Sequence, residues 1–432
     1  MSVPLSRNRD YRLLWAGQAV SEVGFNATLI AFPLLVLALT GSPAAAGLVL
    51  GADAAAQLVA GLPAGALADR WDRKKVMLGC EAAQAVAAAT LVAALLAGTV
   101  RVAHLVAVAV AMGTCRALFE PAEDACLPRL VTAGQLPTAV AMNAARTSVA
   151  QLSGTALGGA LFGIGRVLPF AADLLAHTTA FGALLFLRVP PREPAPTHTG
   201  PQPRQRRAAA ARRLGAEIAT GLRWVWRRPE IRVTAWCAVA LNLFFNAYYL
   251  VIIVRTQDSG VPAGQIGLMA AMLGAGGILG SLVAPWLHRR LRPYYSIAGV
   301  FWALTALAPV ALLTTSPYLT GLLFAAIALL APTANTTINT HQLLLTPDGL
   351  RGRLAGAMGV ATGAAAAAGP ALGGVLLQLV PGDTAVLACT AGMAAVTVLV
   401  TTSPTLRHYP DGAASPHEAS TDDSDERKDI LA

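Results

Sequence analysis

The sequence predicts an all-α membrane protein with twelve transmembrane helices in two six-helix bundles related by pseudo-twofold symmetry. Composition, the spacing of apolar windows and an internal repeat are the three observations behind this prediction. Of 432 residues, 55% are hydrophobic and only 13% are charged, about half the charged fraction of ordinary soluble domains. This composition excludes a soluble enzyme, a disordered chain and a disulfide scaffold.

Twelve apolar windows are long enough to cross a bilayer, since about 20 helical residues span its hydrocarbon core. The windows are 13–38, 44–67, 76–98, 103–125, 137–163, 167–187, 231–254, 263–286, 296–314, 317–340, 352–378 and 384–402. A segment rich in Pro and Arg separates the sixth window from the seventh. We therefore divide the chain into an N-terminal bundle (1–188), a basic cytoplasmic linker with an interfacial helix (189–230), a C-terminal bundle (231–403) and an acidic, disordered cytoplasmic tail (404–432).

The placement of Lys and Arg predicts the orientation. Only Arg101, Arg166 and Arg255 fall in the loops of one side, and Arg116 and Arg146 fall inside windows; the other bases lie in segments of the opposite side or at window ends. Because basic loops remain in the cytoplasm, we predict a multi-pass protein of the cell membrane with both termini cytoplasmic.

An internal repeat supports the division into two halves. The segment 154–159, Gly-Thr-Ala-Leu-Gly-Gly, matches the segment 369–374, Gly-Pro-Ala-Leu-Gly-Gly, at the same spacing that separates Gly65 from Gly280. Six windows separate the copies, so both run in the same direction, as in the parallel repeats of transporters. Small residues let helices approach closely, and we predict helix packing at Gly154, Gly158, Gly159, Gly369, Pro370, Gly373 and Gly374.

The turn between the second and third windows is the strongest local motif. Residues 65–75 read Gly-Ala-Leu-Ala-Asp-Arg-Trp-Asp-Arg-Lys-Lys. A carboxylate here can face a helix N-terminus, while the basic run suits phospholipid headgroups. A plain positive-inside anchor is the competing interpretation.

This turn resembles the signature of the major facilitator superfamily. The segment 8–15, Asn-Arg-Asp-Tyr-Arg-Leu-Leu-Trp, and the segment 221–229, Gly-Leu-Arg-Trp-Val-Trp-Arg-Arg-Pro, resemble its drug:proton antiporter branch, which includes macrolide-efflux and enterobactin-exporter proteins. In the fifth window, Thr155 stands where the antiporter pattern has proline, whereas Pro370 retains that proline in the eleventh.

The resemblance implies a secondary active transporter, with proton-coupled efflux of amphipathic small molecules such as drugs or antibiotics by alternating access. It also implies that the motif is a conformational latch, formed by Gly65, Asp69, Arg70, Arg73 and Lys74, in which Asp69 faces the eleventh span and is released as the halves rock. Alternatives are an exporter of a siderophore or endogenous metabolite, a facilitator without proton coupling, a passive channel and a membrane enzyme.

Ionisable groups within apolar windows are costly and are therefore candidates for function. Glu22, Asp53, Asp173 and Arg116 are our proton-coupling candidates, with Glu22 first because it lies on a polar stripe of the first window. A carboxyl group in an apolar site favours its protonated form and can exchange a proton near neutral pH.

Each candidate has a structural alternative. Glu22 can pair with Arg116 or Arg146, and Asp53 can be a satisfied acid of the core. Asp173, which shares a helical face with His177 at i,i+4, can serve helix packing. Arg116 can simply neutralise Glu120, four residues on.

Neutral polar groups are expected to line the substrate cavity. Amide, phenol and aromatic side chains suit an amphipathic ligand, and interhelical hydrogen bonds are an equally good account. The residues are Gln18, Asn26, Asn242, Asn246, Tyr249, Asn335 and Asn339.

No chemical motif points to catalysis or to a metal. The five cysteines form no CxxC and the seven histidines no HxxxH pattern, so we predict no catalytic site, no metal and no cofactor, with the proton gradient as the driving force. Expected partners are the lipid bilayer, a small-molecule substrate and protons, but no nucleic acid, and a monomer is expected.

Overall fold

The computed structural model describes residues 4–189 and 223–404, and these residues form twelve long α-helices, one for each predicted window. The helices are α1 (Arg9–Thr40), α2 (Pro43–Arg70), α3 (Arg73–Leu96), α4 (Val102–Leu130), α5 (Leu136–Ile164), α6 (Leu168–Phe186), α7 (Pro229–Asp258), α8 (Ala263–Arg290), α9 (Pro293–Leu307, continued by a 3₁₀ helix, Ala308–Leu313), α10 (Pro317–Leu344), α11 (Asp348–Leu379) and α12 (Gly382–Thr402). Eleven are long and apolar enough to cross a membrane, and α5 is the one helix of the twelve that falls short of this measure. The all-α prediction is confirmed.

The predicted linker and tail fall largely outside the described residues. Positions 190–222 and 405–432 belong to those segments, so the boundaries of the four predicted regions stay predictions. At the end of the linker, residues 223–227 are helical and pack through Val225 against the start of α7.

Local sequence fixes the ends of the first three helices. The side chains of Asn8, Ser42 and Asp72 each accept a hydrogen bond from the first turn of the following helix, as N-cap residues do. Gly41 ends α1 with φ +62°, a left-handed conformation that glycine adopts without a Cβ penalty. Pro43 then opens α2, where a missing N–H costs nothing.

Two groups of six helices make up the molecule. Helices α1 to α6 pack on one another, chiefly α1 on α5 and α6, α3 on α4 and α6, and α2 on α4. The second half repeats these pairings with α7 on α11 and α12, α9 on α10 and α12, and α8 on α10. The halves meet along two seams, α2 with α11 and α5 with α8.

The repeated glycines form these contacts in the same way in both halves. A Cβ on Gly154 would lie 2.6 Å from the carbonyl oxygen of Val23 in α1, and one on Gly373 would lie 2.6 Å from that of Ala247 in α7. The last glycine of the repeat instead faces the other half, since a Cβ on Gly374 would lie 2.6 Å from the carbonyl oxygen of Pro43. The repeat therefore sets both the packing within a half and the seam between the halves.

The remaining repeat residues follow this pattern. Gly158 packs on Ala27 of α1 and Gly369 on Asn246 of α7, while Gly159 meets Gly267 across the α5–α8 seam. Side chains larger than hydrogen at these positions would force the helices apart.

The seams are closed at one end only. We call the membrane face where α1 begins and α12 ends the terminal face, and the opposite one the far face. Seam contacts join Gly47 to Pro370 and Gly163 to Gly264 in the far-face part of the helices, whereas a Cβ on Gly61 of α2 would meet nothing within 4 Å. Glycines 352, 356 and 359 of α11 are equally uncrowded. The halves therefore enclose a cleft that opens to the terminal face.

Candidate functional site

One arginine joins a buried and a partly buried carboxylate from different helices. The Arg146 guanidinium donates from Nη2 to Glu22 Oε1 at 3.0 Å and from Nη1 to Glu123 Oε1 at 2.7 Å. Thr147 Oγ1 donates to Glu22 Oε1 at 3.2 Å. The Arg146 side chain is 3% exposed, that of Glu123 8% and that of Glu22 19%. We call this group, from α1, α4 and α5, the Arg146 cluster.

A second cluster of ionisable side chains is also buried against α1. His177 Nδ1 lies 2.7 Å from Glu81 Oε2, and His177 Nε2 lies 3.2 Å from Asp173 Oδ1. Gln18 Nε2 and Ser21 Oγ donate to Glu81 Oε1 at 2.9 and 3.1 Å. We call this group, from α1, α3 and α6, the His177 cluster.

A small cavity of about 40 Å³ lies between the two clusters, and a cavity of that size with polar walls can hold water. Glu22, Glu123, Glu81 and His177 line it, together with Arg116. Both clusters therefore face one shared cavity with polar walls.

Arg116 pairs with Glu120, as the sequence interpretation of self-neutralisation expected. Arg116 Nε lies 3.0 Å from Glu120 Oε1, and the Arg116 guanidinium stacks 4.6 Å from the centre of the Phe25 ring. The Glu120 side chain is 61% exposed, and ion pairs that open to solvent contribute little to stability. Arg116 and Glu22 do not pair; Arg146 is the partner of Glu22.

Asp53 lies apart from both clusters. Its side chain is buried and accepts from Gln57 Nε2 at 2.7 Å, and Gly113 of α4 packs on its backbone. This placement matches the alternative of a satisfied core acid at the α2–α4 contact. Its role in proton coupling stays a prediction.

The C-terminal half contains the larger cavity. Its volume is about 270 Å³, and α7, α8, α9 and α10 bound it. Asn242 and Asn335 are its amide residues, beside the Phe245 ring and the apolar side chains of Leu241 and Ile338. An apolar pocket with a few polar groups suits an amphipathic ligand.

Other polar residues predicted for the cavity lie elsewhere. Asn246 sits against Gly369 at the α7–α11 contact and donates to the carbonyl oxygen of Asn242. The Tyr249 ring packs 5.7 Å from that of Phe324. Asn339 is exposed and does not line this cavity, although its neighbour Ile338 does.

Two polar residues of α1 were also predicted to line the cavity. Gln18 belongs to the His177 cluster and lines the small cavity, not the 270 Å³ one. Asn26 is buried and donates to the backbone oxygen of Glu22. The structure therefore gives both residues hydrogen-bonding partners within the N-terminal half.

Two basic residues of the predicted latch serve the N-terminal half itself. Arg73 Nη1 donates to the backbone oxygen of Ala125 at 2.7 Å, and Lys74 Nζ donates to those of Leu185 and Leu187 at 2.9 and 2.7 Å. Lys74 satisfies carbonyl groups at the end of α6, which a helix end leaves without partners, and Arg73 ties the start of α3 to α4.

The remaining latch residues belong to the last two turns of α2. The side chains of Gly65, Asp69 and Arg70 lie outside the described part of the chain. Their action as a latch stays a prediction.

Sequence reasoning missed Glu81 and Glu123. Both are acids inside apolar windows, so the cost of a charge in a span could have identified them. Neither has a basic partner at i,i+4 in its own helix, and their partners His177 and Arg146 come from helices that are distant in the sequence.

Curated relatives of similar length match most of the chain. An uncharacterised transporter of the major facilitator type, YfiS of Bacillus subtilis, is 28% identical over 408 residues, covering 90% of this chain and 92% of YfiS. The multidrug efflux pump Tap of Mycolicibacterium fortuitum is 28% identical over 371 residues, covering 82% of this chain and 85% of Tap.

A solved structure shares the fold. The crystal structure of a bacterial homologue of the human lysosomal transporter Spinster, in an inward-facing and unoccupied conformation, superposes with a TM-score of 0.65 at 15% identity, covering 93% of this chain and 98% of that one. The profile of the transmembrane secretion effector family matches residues 2–422. This chain is therefore a member of the transmembrane secretion effector family, within the major facilitator superfamily of membrane transporters.

Proposed function

We propose that this protein exports amphipathic small molecules from the cytoplasm by alternating access, in exchange for protons. The Arg146 cluster is the observation that carries the proposal. One guanidinium holds two carboxylates, so the cluster has a charge of −1 when both are ionised and is neutral when one is protonated. Because a buried net charge is expensive, the cluster gains from one proton or one cationic group.

The distribution of basic residues supports the proposed orientation in the membrane. Bases occupy the terminal-face ends of several helices, among them Arg9, Arg73, Arg129 and Arg290. Because basic ends remain in the cytoplasm, we propose that the terminal face is cytoplasmic and that the described conformation is open to the cytoplasm.

The proposed cycle follows from these charges. In the cytoplasm-open state the Arg146 cluster releases its proton as substrate binds in the cleft and the C-terminal cavity. After the halves rock, Glu22 takes a proton from outside and substrate leaves. Glu22 is the exchanging carboxylate, since its side chain is more exposed than that of Glu123.

Ligand contacts are proposed for the C-terminal cavity. Asn242 and Asn335 offer hydrogen bonds and Phe245 offers a ring face, which together fit a flat aromatic molecule with a polar edge. The relative Tap is a multidrug efflux pump, and this likeness supports a broad range of such substrates.

Proteoliposomes test the proposal directly. Purified protein is reconstituted, a pH gradient is imposed, and ethidium, a flat aromatic cation, serves as the transport probe. Wild type should accumulate ethidium against its gradient, and a protonophore should abolish the accumulation. Glu22→Gln should lose uphill transport, because the glutamine cannot exchange a proton, while Arg146 and Glu123 still pair.

The matched control is Thr147→Val, which removes a hydrogen bond to Glu22 but no titratable group. It should retain uphill transport at a reduced rate. Uphill ethidium transport by Glu22→Gln at the wild-type rate would exclude Glu22 from coupling. Protonophore-insensitive, downhill-only flux in wild type would instead identify a facilitator without coupling.

A further inference from the structure

The His177 cluster is an ionisable group that the proposed cycle does not use. His177 bridges Glu81 of α3 and Asp173 of its own helix at 2.7 and 3.2 Å. The side chains are each 1% exposed, so the cluster is more deeply buried than the Arg146 cluster.

Asp173 is incompletely satisfied. Among the described residues neither of its carboxylate oxygens has a hydrogen-bond donor of good geometry, and the same holds for His177 Nε2 that approaches it. A Cβ on Gly24 would lie 3.0 Å from Asp173 Oδ1, so the backbone of α1 closes over the carboxylate. A buried polar atom without a partner is costly, so these carboxylate oxygens offer an acceptor position for an added proton.

Charge counting gives the same result. Two carboxylates and one imidazolium have a net charge of −1, which a single added proton neutralises. The neighbouring cations do not supply this charge, because Arg116 is paired with Glu120 and Arg146 with Glu22 and Glu123.

No other described neighbour compensates the cluster. Helix α1 contributes Gln18 and Ser21, and α3 and α4 contribute the thiols of Cys80 and Cys115, which contact each other. The amide and the hydroxyl are neutral, and the thiols are neutral in their protonated form. The −1 charge therefore stays with the cluster.

A polar cavity links the two clusters. Glu81 and His177 line the same small cavity as Glu22 and Glu123. The consecutive residues Ser21 and Glu22 of α1 contact the two clusters, one each. A proton that enters through the cavity can therefore reach either cluster.

We propose that Glu81, His177 and Asp173 form a second proton-binding site, which takes up one proton independently of the Arg146 cluster. Its part in transport rests on the proposed function, in which it raises the exchange to two protons per cycle. The binding of the proton does not depend on transport.

Proton uptake by purified protein in lipid nanodiscs tests the site without any substrate. Uptake is measured with a pH-indicator dye on acidification from about pH 9 to about pH 5, a range that contains the transitions of perturbed carboxyl groups. Infrared difference spectra record the carbonyl bands of protonated carboxyl groups in the same samples. Wild type should show two carbonyl bands from buried, protonated carboxyl groups, one from each cluster.

Either Glu81→Gln or Asp173→Asn should remove one of these bands and one proton of uptake, because each leaves a neutral carboxylate–imidazolium pair. Glu22→Gln should remove only the other band. Asp383→Asn, a change at an exposed acid of the C-terminal half, should leave both bands unchanged. If either Glu81→Gln or Asp173→Asn fails to fold, as judged by thermal unfolding, the other variant still tests the site.

The outcomes separate the two proposals. Bands and uptake that persist in both Glu81→Gln and Asp173→Asn, or a Glu22→Gln variant that has lost every band, would overturn the second site. Two independent bands in a protein that does not move ethidium would retain the site and refute the proposed function. In transporting protein, Glu81→Gln should lower the number of protons exchanged per ethidium from two to one.

Discussion

The two halves of this transporter share their helix packing and differ in their charge. In the N-terminal half, α1, α3, α4, α5 and α6 bury two clusters of ionisable groups, whereas the spans of the C-terminal half contain neutral groups such as the hydroxyl pair of Ser296 and Thr337. Both halves retain the same glycine contacts. Because close approach of helices needs small residues whatever the charge nearby, packing and electrostatics can diverge independently after duplication.

The difference also separates two tasks in the proposed mechanism. Proton exchange belongs to the half with buried acids, and ligand contact to the half with the 270 Å³ cavity. The experiments below sharpen or break this division, beginning with the largest expected effect.

Arg146→Ala should produce the largest loss of stability. It leaves Glu22 and Glu123 without their shared cation, and removing one member of a buried ion pair costs about 3–5 kcal/mol. The matched change in the other half, Asn242→Ala, removes one side-chain hydrogen bond to the backbone of its own helix and should cost about 1 kcal/mol. Chemical denaturation in detergent measures both; equal losses would contradict the contrast between the halves.

Gly47→Ala should shift the balance between conformations. The new methyl group would collide with the carbonyl of Pro370 across the closed seam, and overpacking of this kind costs about 1–3 kcal/mol. The state open at the far face should therefore gain roughly tenfold in population. Spin labels at Thr99 and Thr314, in far-face loops of different halves, report the change as a longer distance.

Gly61→Ala, on the same helix, is the control. Its methyl group meets no atom within 4 Å and should leave the distance distribution unchanged. An equal response from both variants would show that helix propensity, and not the seam, causes the shift.

Asn335→Leu should weaken ethidium binding severalfold without changing proton coupling. It removes one amide from the C-terminal cavity, and a hydrogen bond of this kind contributes about 1 kcal/mol. Asn339 is on the same helix but does not line the cavity, so Asn339→Leu should bind ethidium as wild type does. Fluorescence titration gives the dissociation constants. Weaker ethidium binding by Asn339→Leu would show that the ligand site is not this cavity.

The smallest change in stability is expected for Asp72→Asn. The Asp72 carboxylate accepts from the backbone N–H groups of Lys74 and Lys75, and asparagine caps a helix about as well as aspartate.

Asp69→Asn should reduce transport more than Asp72→Asn if Asp69 is the latch. Equal ethidium transport by the two variants would remove the latch from the mechanism.

Much of the fold was predictable from the sequence because membrane helices need long apolar runs. The i,i+4 pairs Arg116–Glu120 and Asp173–His177 were predictable too, since helical geometry alone brings them together. The joining of Glu22, Glu123 and Arg146 was not, because their helices meet only in the folded bundle. Spacing along one helix could not indicate which of several arginines each acid would reach.

The sequence by itself determined the number of spans, the duplication and the concentration of acids in the first half, since each depends on composition or on periodicity within one segment. Only the tertiary structure decided that one arginine serves two carboxylates, that a histidine holds two more, and that the seams close at the far face. Contacts between distant segments depend on how helices rotate and cross, and side-chain packing over the whole bundle sets those angles.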